Sequence, residues 1–287
     1  MTDKTAHRTM AYAAQMRYDV VRMIENVASG HPGGSLSCVD IIACLYFEAM
    51  RIRPDEPDWR LRDRFMLSKG HAAPALYAAL SRRGYFPASE LKRLRQVDGT
   101  LEGHPDRLHT RGVDMTTGCL GEGLSAGIGM ALAGRLDSAD YFTYVILGDG
   151  EVNEGQIWEA AQVAAHYGLD RLIAFLDLNN LQFDGTLDDV LKPLDLAAKW
   201  GAFGWHVQEI DGHDHDEILK AIETAKGRPG KPHMIIARTT KGRGVRVMEN
   251  QCAWHSIVDL QQMRNCLPEL VEEMRCYEDV LDAPDVW

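Results

Sequence analysis

Apolar positions along the chain change their spacing several times, and the changes mark an alternation of helices and strands. Residues 9–28 carry apolar side chains at helical spacing, and the stretch SGHPGGS at 29–35 then breaks it into a loop. Ser37 with Asp40 forms a capping-box pattern that predicts a helix running to about residue 50. A short apolar edge at 66–68 precedes KGHAA, and 72–83 reads as the next helix. Residues 100–117 are loop-rich, whereas GEGLSAGIGMALAGRL at 121–136 returns to helix. Short apolar runs at 141–147, 172–178, 206–210 and 234–239 predict strands, with helices at 156–167 and 216–226 between them. Buried strands this short, joined by helices, imply an α/β fold with a mostly parallel sheet covered on both faces. There is no internal repeat and no convincing boundary, so 1–287 is expected to form a single domain.

Composition narrows the choice of partners. With 45% hydrophobic and 25% charged residues the chain is ordinary for a globular protein. A formal net charge of −11 argues against nucleic acid and against an anionic membrane surface. The opening MTDKTAHRTMAY lacks the charged-then-apolar pattern of a signal peptide, and no apolar run approaches the roughly 20 residues that span a bilayer. The expected location is cytoplasmic. Six cysteines without a C-x-x-C pair, several in apolar helical stretches, read as buried free thiols and not as disulfides or a zinc site.

Chemistry concentrates where strands give way to loops. YVILGDGEVNEG at 144–155 begins as an apolar strand, breaks at Gly148-Asp149-Gly150 and then opens a helix. In parallel sheets, ligands lie beyond the carboxyl ends of the strands, near helix N-termini that favour anions. The glycines let the backbone turn and let an anion approach, while Asp149 would repel that anion unless a cation lay between them. The next strand ends at Asp177-Leu178-Asn179-Asn180, which brings amide and main-chain oxygens to the same edge. One carboxylate, one amide oxygen and one carbonyl, completed by diphosphate and water, would suit octahedral Mg²⁺. A plain turn explains G-D-G alone equally well, and the paired asparagines weigh against it.

The G-D-G…N pattern resembles the diphosphate and metal motif of thiamine-diphosphate enzymes, and four further stretches resemble the amino-terminal part of transketolase. These are SGHPGGSLS at 29–37, DRFMLSKGHAAPALY at 63–77, TTGCLGEGLSAGIGMA at 116–131, and ARTTKGRGV with the later Trp254-His255. The resemblance covers nearly the whole chain and implies a three-layer αβα thiamine-diphosphate-binding fold. It departs locally: Lys69 stands where the family often has Asn, Cys119 where it has Pro, and Glu122 where it has Gln. By resemblance, Asp149, Asn179 and the Leu181 carbonyl would hold Mg²⁺ or another divalent cation such as Ca²⁺. Gly150 would offer its amide to the diphosphate, His71 would bond the diphosphate with His255 helping, and the main chain at Gly118 and Leu120 would hold the aminopyrimidine. His31, His104 and His255 would reach the sugar's hydroxyls or carbonyl, with His31 or His255 shuttling a proton. Glu154, counted with the cofactor set, would be an interface acid linking two active sites. Lys69 is left unassigned, between a diphosphate contact and a solvated charge, and Phe183 suits either bracing of the cofactor or core packing.

Several of these residues have a plainer reading. His31 and His104 precede prolines in loops where solvated histidines are unremarkable, and it is the family pattern that favours catalysis. His213-Asp214-His215-Asp216 is read as structural, with Asp216 capping the helix that follows. Gly123, Gly127 and Gly129 suit a buried helix or close packing across a subunit interface.

Transketolases run to well over twice this length, and the domain that carries the catalytic glutamate against the aminopyrimidine is absent here. The resemblance therefore implies one subunit of a split transketolase, active only with a carboxy-terminal partner and assembled as a heterotetramer, that moves a two-carbon ketol unit from a ketose or its phosphate to an aldose. Two alternatives remain. One is a cofactor-binding subunit of a related carboligase, such as a 1-deoxyxylulose-5-phosphate-synthase-like enzyme, against which SGHPGGS and the Trp254-His255 pair count. The other is a non-catalytic assembly module. Pentose phosphates, branched sugars and sulfosugars are all open as substrates.

Overall fold

The computed structural model describes residues 3–281 and 285–287. Five strands form one sheet: β1 Arg64–Leu67, β2 Thr143–Gly148, β3 Leu172–Leu178, β4 His206–Asp211 and β5 His233–Arg238. Their order is β1-β2-β3-β5-β4 and every neighbouring pair is parallel. The chain therefore has the α/β architecture that its alternating pattern implies.

Helices cover both faces, as expected for an all-parallel sheet. In chain order they are α1 Asp3–Val27, α2 Pro32–Leu36, α3 Val39–Cys44, α4 Ala73–Arg83, α5 Glu122–Leu136, α6 Gly155–His166, α7 Leu187–Val190, α8 Leu196–Ala202, α9 His215–Lys226, α10 Leu260–Arg275 and α11 Glu278–Leu281. Successive strand residues alternate between two cores. Tyr144, Ile146, Ile173, Phe175 and Ile235 face α1, α3, α4, α9 and α10, while Val145, Leu147, Ala174, Leu176 and Ile236 face α5, α6 and α8. Each fully buried Ile, Leu or Phe contributes about 1.5–3 kcal/mol, and the two cores fix the sheet register, because a one-residue slip would exchange the faces.

Several local expectations are revised. The helix predicted to run to residue 50 divides into α3 and a π-helical turn at Leu45–Ala49. Its capping box does not form: Cys38 stands at the N-cap without a side-chain cap, Ser37 Oγ donates to Asp177 at 2.6 Å, and Asp40 turns into the core. Helix α9 is capped by Asp214, which accepts from the amides of Asp216 and Glu217 at 2.9 and 3.0 Å, and not by Asp216. All six cysteines are free, but only Cys38, Cys44 and Cys266 are buried. The glycines of α5 divide by face. A Cβ on Gly123 would meet Ser68 Oγ at 2.5 Å and one on Gly127 would meet Val145 at 2.7 Å, whereas Gly129 faces open space. Two of the three thus serve packing on the chain's own sheet. No helix among the described residues is long and apolar enough to cross a membrane.

Candidate active site

The sheet register brings three strand ends together, with Gly148 beside Asp177 and Asp177 beside Ala237. Asp149 follows β2 and is buried. Its Oδ1 accepts from Gly150 N at 2.8 Å, and its Oδ2 accepts from Asn179 N and Asn180 N at 2.9 and 2.6 Å. Three amides thus hold one carboxylate across the gap between β2 and β3, and Asn180 takes a φ of 62° to complete the turn. Burial, reinforced by the nearby Asp177 charge, pushes the Asp149 carboxyl up to about 7. A cation against it would reverse that cost. The Gly150 amide, expected to face a diphosphate, is here engaged by Asp149.

Beneath this turn lies a buried ion pair. Lys69 Nζ donates to Asp177 Oδ2 and, at 2.6 Å, to the Gly34 carbonyl. Burial works against the ammonium, but Asp177 outweighs it and holds Lys69 above its ordinary value. Burial likewise opposes the Asp177 charge, yet Lys69, Ser37 and Thr239 keep that carboxyl below the usual range. Lys69 is therefore not a solvated charge. Asn179 Nδ2 lies 3.4 Å from Asp177 Oδ2, which orients the amide so that its Oδ1 is the acceptor. Glu151, also buried, accepts from Ser68 and from the Gly121 and Gly148 amides at 2.8 and 2.9 Å, tying α5 to the G-D-G turn.

Four histidines converge above. The His31 ring lies 5.3 Å from His71, 6.2 Å from His104 and 5.6 Å from His255, and His71 lies 5.1 Å from His255. Burial with Arg95 and His104 nearby brings His31 down to about 4, and burial with Lys241 brings His255 to about 3. His71 falls well below its ordinary value through burial and Lys69, and His104 is lowered by burial and Arg95. All four are neutral imidazoles at physiological pH. Each comes from its own segment: His31 from the loop before α2, where Pro32 and Gly33 allow a tight start, His71 from the turn Gly70–Ala72, His104 from the loop that follows Leu101, and His255 from the turn Cys252–His255. A Cβ on Gly33 would stand 2.8 Å from the Trp254 carbonyl, so glycine permits the approach.

A cavity of about 360 Å³ opens between these layers, lined by Lys69, His71, Asp149, Asn179, Leu181 and Lys241 among others. Lys241 Nζ donates to the Leu181 carbonyl at 3.0 Å and lies 3.0 Å from His255 Nδ1. The residues suit an anionic ligand with a cation. The donor set mixes a carboxylate, an amide oxygen and a carbonyl, an ammonium already sits on that carbonyl, and His31 Nδ1 and Gln182 Nε2 are buried without partners. Phe183 is 61% exposed at the rim, its ring 5.2 Å from His255, so it is not a core residue. Leu120 and Glu154 are exposed at the same mouth, and Gly118 is exposed against His104.

Residues 8–263 match the family described as the transketolase thiamine diphosphate binding domain. The chain belongs to the transketolase family. It is 49% identical over 252 residues to the 6-deoxy-6-sulfo-D-fructose transketolase subunit SqwG of Clostridium sp. (strain MSTE9), covering 87% of this chain and 91% of that one. With an apulose-4-phosphate transketolase subunit of Phocaeicola vulgatus it shares 40% over 263 residues, 91% of this chain and 93% of that one. The transketolase of Pichia stipitis in complex with sedoheptulose-7-phosphate superposes with a TM-score of 0.86 at 32% identity, covering 96% of this chain and 44% of that one. The chain thus spans the subunit-sized relatives almost fully and less than half of this longer transketolase.

Transketolase motifs in the sequence lead to most of the site but miss part of it. Lys241 stands inside the quoted ARTTKGRGV, where a lysine among small residues could have been read as a ligand for an anion. Glu151 and Asp177 flank assigned residues, yet nothing in their spacing says which amides they accept.

Proposed function

We propose that this chain is the thiamine-diphosphate-holding subunit of a two-chain transketolase and folds as one domain. The observation that carries the reading is the set of four imidazoles gathered over a cavity whose floor is Asp149, Asn179 and the Leu181 carbonyl. In this reading those three floor groups hold Mg²⁺, or Ca²⁺ in its place. His71 and His255 contact the diphosphate, the Gly150 amide turns to it as the cation relieves Asp149, and main-chain groups of Gly118 and Leu120 receive the aminopyrimidine.

Bound thiamine diphosphate supplies the electron sink that lets a ketose release a two-carbon unit. The chain's part is to orient the sugar and manage protons. We assign His104 and His255 to the donor's hydroxyls and carbonyl. We assign to His31, whose Nδ1 is buried and unpartnered, the proton of the donor's 3-hydroxyl, taken as the C2–C3 bond breaks and returned to the acceptor's carbonyl oxygen. Glu154, exposed beside Gly121, meets the partner in this reading.

Support for a separate partner comes from relatives whose names are those of transketolase subunits and which this chain spans by nine-tenths. A closed heterotetramer, two copies of each chain, is the expected assembly. Those names also favour a ketose with an anionic terminal group, sulfonate or phosphate, as donor. The test is two-carbon transfer by this chain mixed with a carboxy-terminal transketolase chain, measured with fructose 6-phosphate, 6-deoxy-6-sulfofructose and apulose 4-phosphate, with and without Mg²⁺ and cofactor. Transfer from none of them by a correctly assembled complex would overturn the reading.

A further inference from the structure

The run His213-Asp214-His215-Asp216 does more than cap a helix. While Asp214 caps α9, both histidines turn inward onto Asp40: His213 Nδ1 lies 2.8 Å from Asp40 Oδ2, and His215 Nε2 lies 3.0 Å from Oδ1. Arg17 donates to the same carboxylate at 2.5 Å and to Glu273 at 3.1 Å, so Asp40 is held from α1 and α9 together. No metal cluster of His, Cys, Asp and Glu exists among the described residues, which leaves the arrangement to hydrogen bonding.

The other nitrogen of His213 points to the candidate active site. Nε2 accepts the amide N–H of Thr240 at 2.8 Å. An imidazole that accepts at Nε2 carries its proton at Nδ1, and the Asp40 carboxylate is what fixes that tautomer. Thr240 immediately precedes Lys241. The segment is also pinned by Gly242 N on the Gly33 carbonyl at 3.0 Å and by Asn250 N on the Lys241 carbonyl at 2.9 Å. A Cβ on Gly33 would come within 3.0 Å of Lys241 Cγ, so the lysine stem runs closely along the SGHPGGS loop. A small shift at Thr240 would therefore move Nζ off both the Leu181 carbonyl and His255.

We propose that Asp40 and His213 are a positioning pair, set behind the cavity, which fixes the Thr240–Lys241 backbone and so aims Lys241 at His255 and the anionic cofactor. The last of these rests on the reading of the cavity as a thiamine diphosphate site. His213 touches neither ligand nor reacting atoms and acts only through Thr240 and Lys241.

The test compares His213→Leu, His213→Gln and Lys241→Met in the full chain. Amide hydrogen exchange is followed at Thr240 and Lys241, and thiamine diphosphate affinity with Mg²⁺ by calorimetry. Loss of the His213–Thr240 bond should speed exchange at Thr240 about tenfold in His213→Leu and weaken the cofactor by a similar factor, while the bond lost to buried Asp40 lowers the melting temperature by a few degrees. His213→Gln keeps an acceptor for Thr240 and should recover most of both effects. In a Lys241→Met background, His213→Leu should cost no further affinity. Unchanged exchange at Thr240, additive losses with Lys241→Met, or a glutamine variant as impaired as leucine would each overturn the proposal. A wild-type chain that takes up no thiamine diphosphate would sink the cofactor reading instead, while exchange at Thr240 would still decide the positioning. If the leucine variant does not fold, His213→Asn replaces it, since asparagine can keep the bond to Asp40 but is too short to reach Thr240.

Discussion

Lys241 Nζ lies 3.0 Å from His255 Nδ1 and the same distance from the Leu181 carbonyl. An ammonium only donates, so His255 accepts at Nδ1, keeps its proton at Nε2 and presents an N–H toward any ligand there. Burial first, and Lys241 next, bring His255 to about 3. Removing the charge in Lys241→Met should move the His255 titration upward while leaving it below an ordinary histidine, because burial remains. NMR titration of the labelled imidazole gives the answer, and an unmoved His255 would mean that the ammonium does not bear on it.

The Asp149 carboxyl, at about 7, predicts how cation binding depends on pH. Burial has raised it, so the metal-free chain holds this group protonated below neutrality, and a cation must displace that proton. Mg²⁺-dependent thiamine diphosphate affinity should be level above pH 7 and fall about tenfold per unit below it. In Asp149→Ala the cation dependence should vanish, and the three amides left without their acceptor should lower the melting temperature without preventing folding, since the side chain serves the turn and not the apolar core. Calorimetry at pH 6 and 8 checks both statements, and undiminished affinity in the alanine variant would remove Asp149 from the metal site.

His71 and His104 should divide their effects. His71 lines the cavity beside Lys69 and Asp149, whereas His104 sits beyond His31, 6.2 Å from it, at the half-open end of the cluster. His71→Ala should weaken the cofactor with little change in turnover at saturation. His104→Ala should lower kcat/KM for the sugar by about 10–100-fold with cofactor affinity nearly unchanged, as for a bond that strengthens in the transition state. Equal cofactor loss in both variants, with normal turnover at saturation, would show the division to be wrong.

How far the fold is legible follows from what each signal depends on. The strand predicted at 172–178 matches β3 because a central parallel strand is apolar on both faces and needs no partner to be seen. Helix α10 carries a legible signal, with buried Met263, Cys266, Leu270 and Met274 at helical spacing among polar residues, and Pro268 inside it is what argues against a helix there. Motifs supply the histidines, since residue type and order carry that pattern. The hydrogen bonds around Asp40 and Asp177 span 173 and 140 positions respectively and have no local signature. Hence the sequence presents Asp40 as a capping residue and leaves Lys69 without a role.

Lys69 and Asp177 form a pair whose rupture should be costly. Lys69→Met leaves a fully buried carboxylate uncompensated, which typically destabilises by about 3–5 kcal/mol. The sign with pH follows from the depressed Asp177 value: the pair's stabilisation is present above the ordinary carboxylate range and is lost as pH falls through the folded value. In the variant, Asp177 loses that support and takes up a proton more readily, so the deficit should shrink between pH 7 and 5. Urea denaturation at the two values measures it, and a pH-independent deficit would point to lost packing instead of stranded charge.

The mouth of the cavity bears on whether this chain can act alone. Leu120 is exposed there with Gly118 and Cys119 exposed just before it in the chain, Phe183 stands 61% exposed, and Leu191 leaves 57% of its surface uncovered. Of the acids nearby, Asp149 is held by three amides, Glu151 by Ser68 and two amides, and Asp177 by Lys69, Ser37 and Thr239. None of these three is free to bond an aminopyrimidine at the Gly118–Leu120 rim. Glu154 is also exposed at this mouth, and the proposed reading assigns it to the partner interface, so the acid against the aminopyrimidine is expected from a second chain at the exposed rim. Assayed alone with Mg²⁺ and thiamine diphosphate, the chain should give no two-carbon transfer and should self-associate in light scattering. Mixed with its carboxy-terminal complement it should gain activity together with a discrete mass of two copies of each chain. Full activity from the 287-residue chain by itself would refute the two-chain reading and require an acid within reach of the rim that is not among these three.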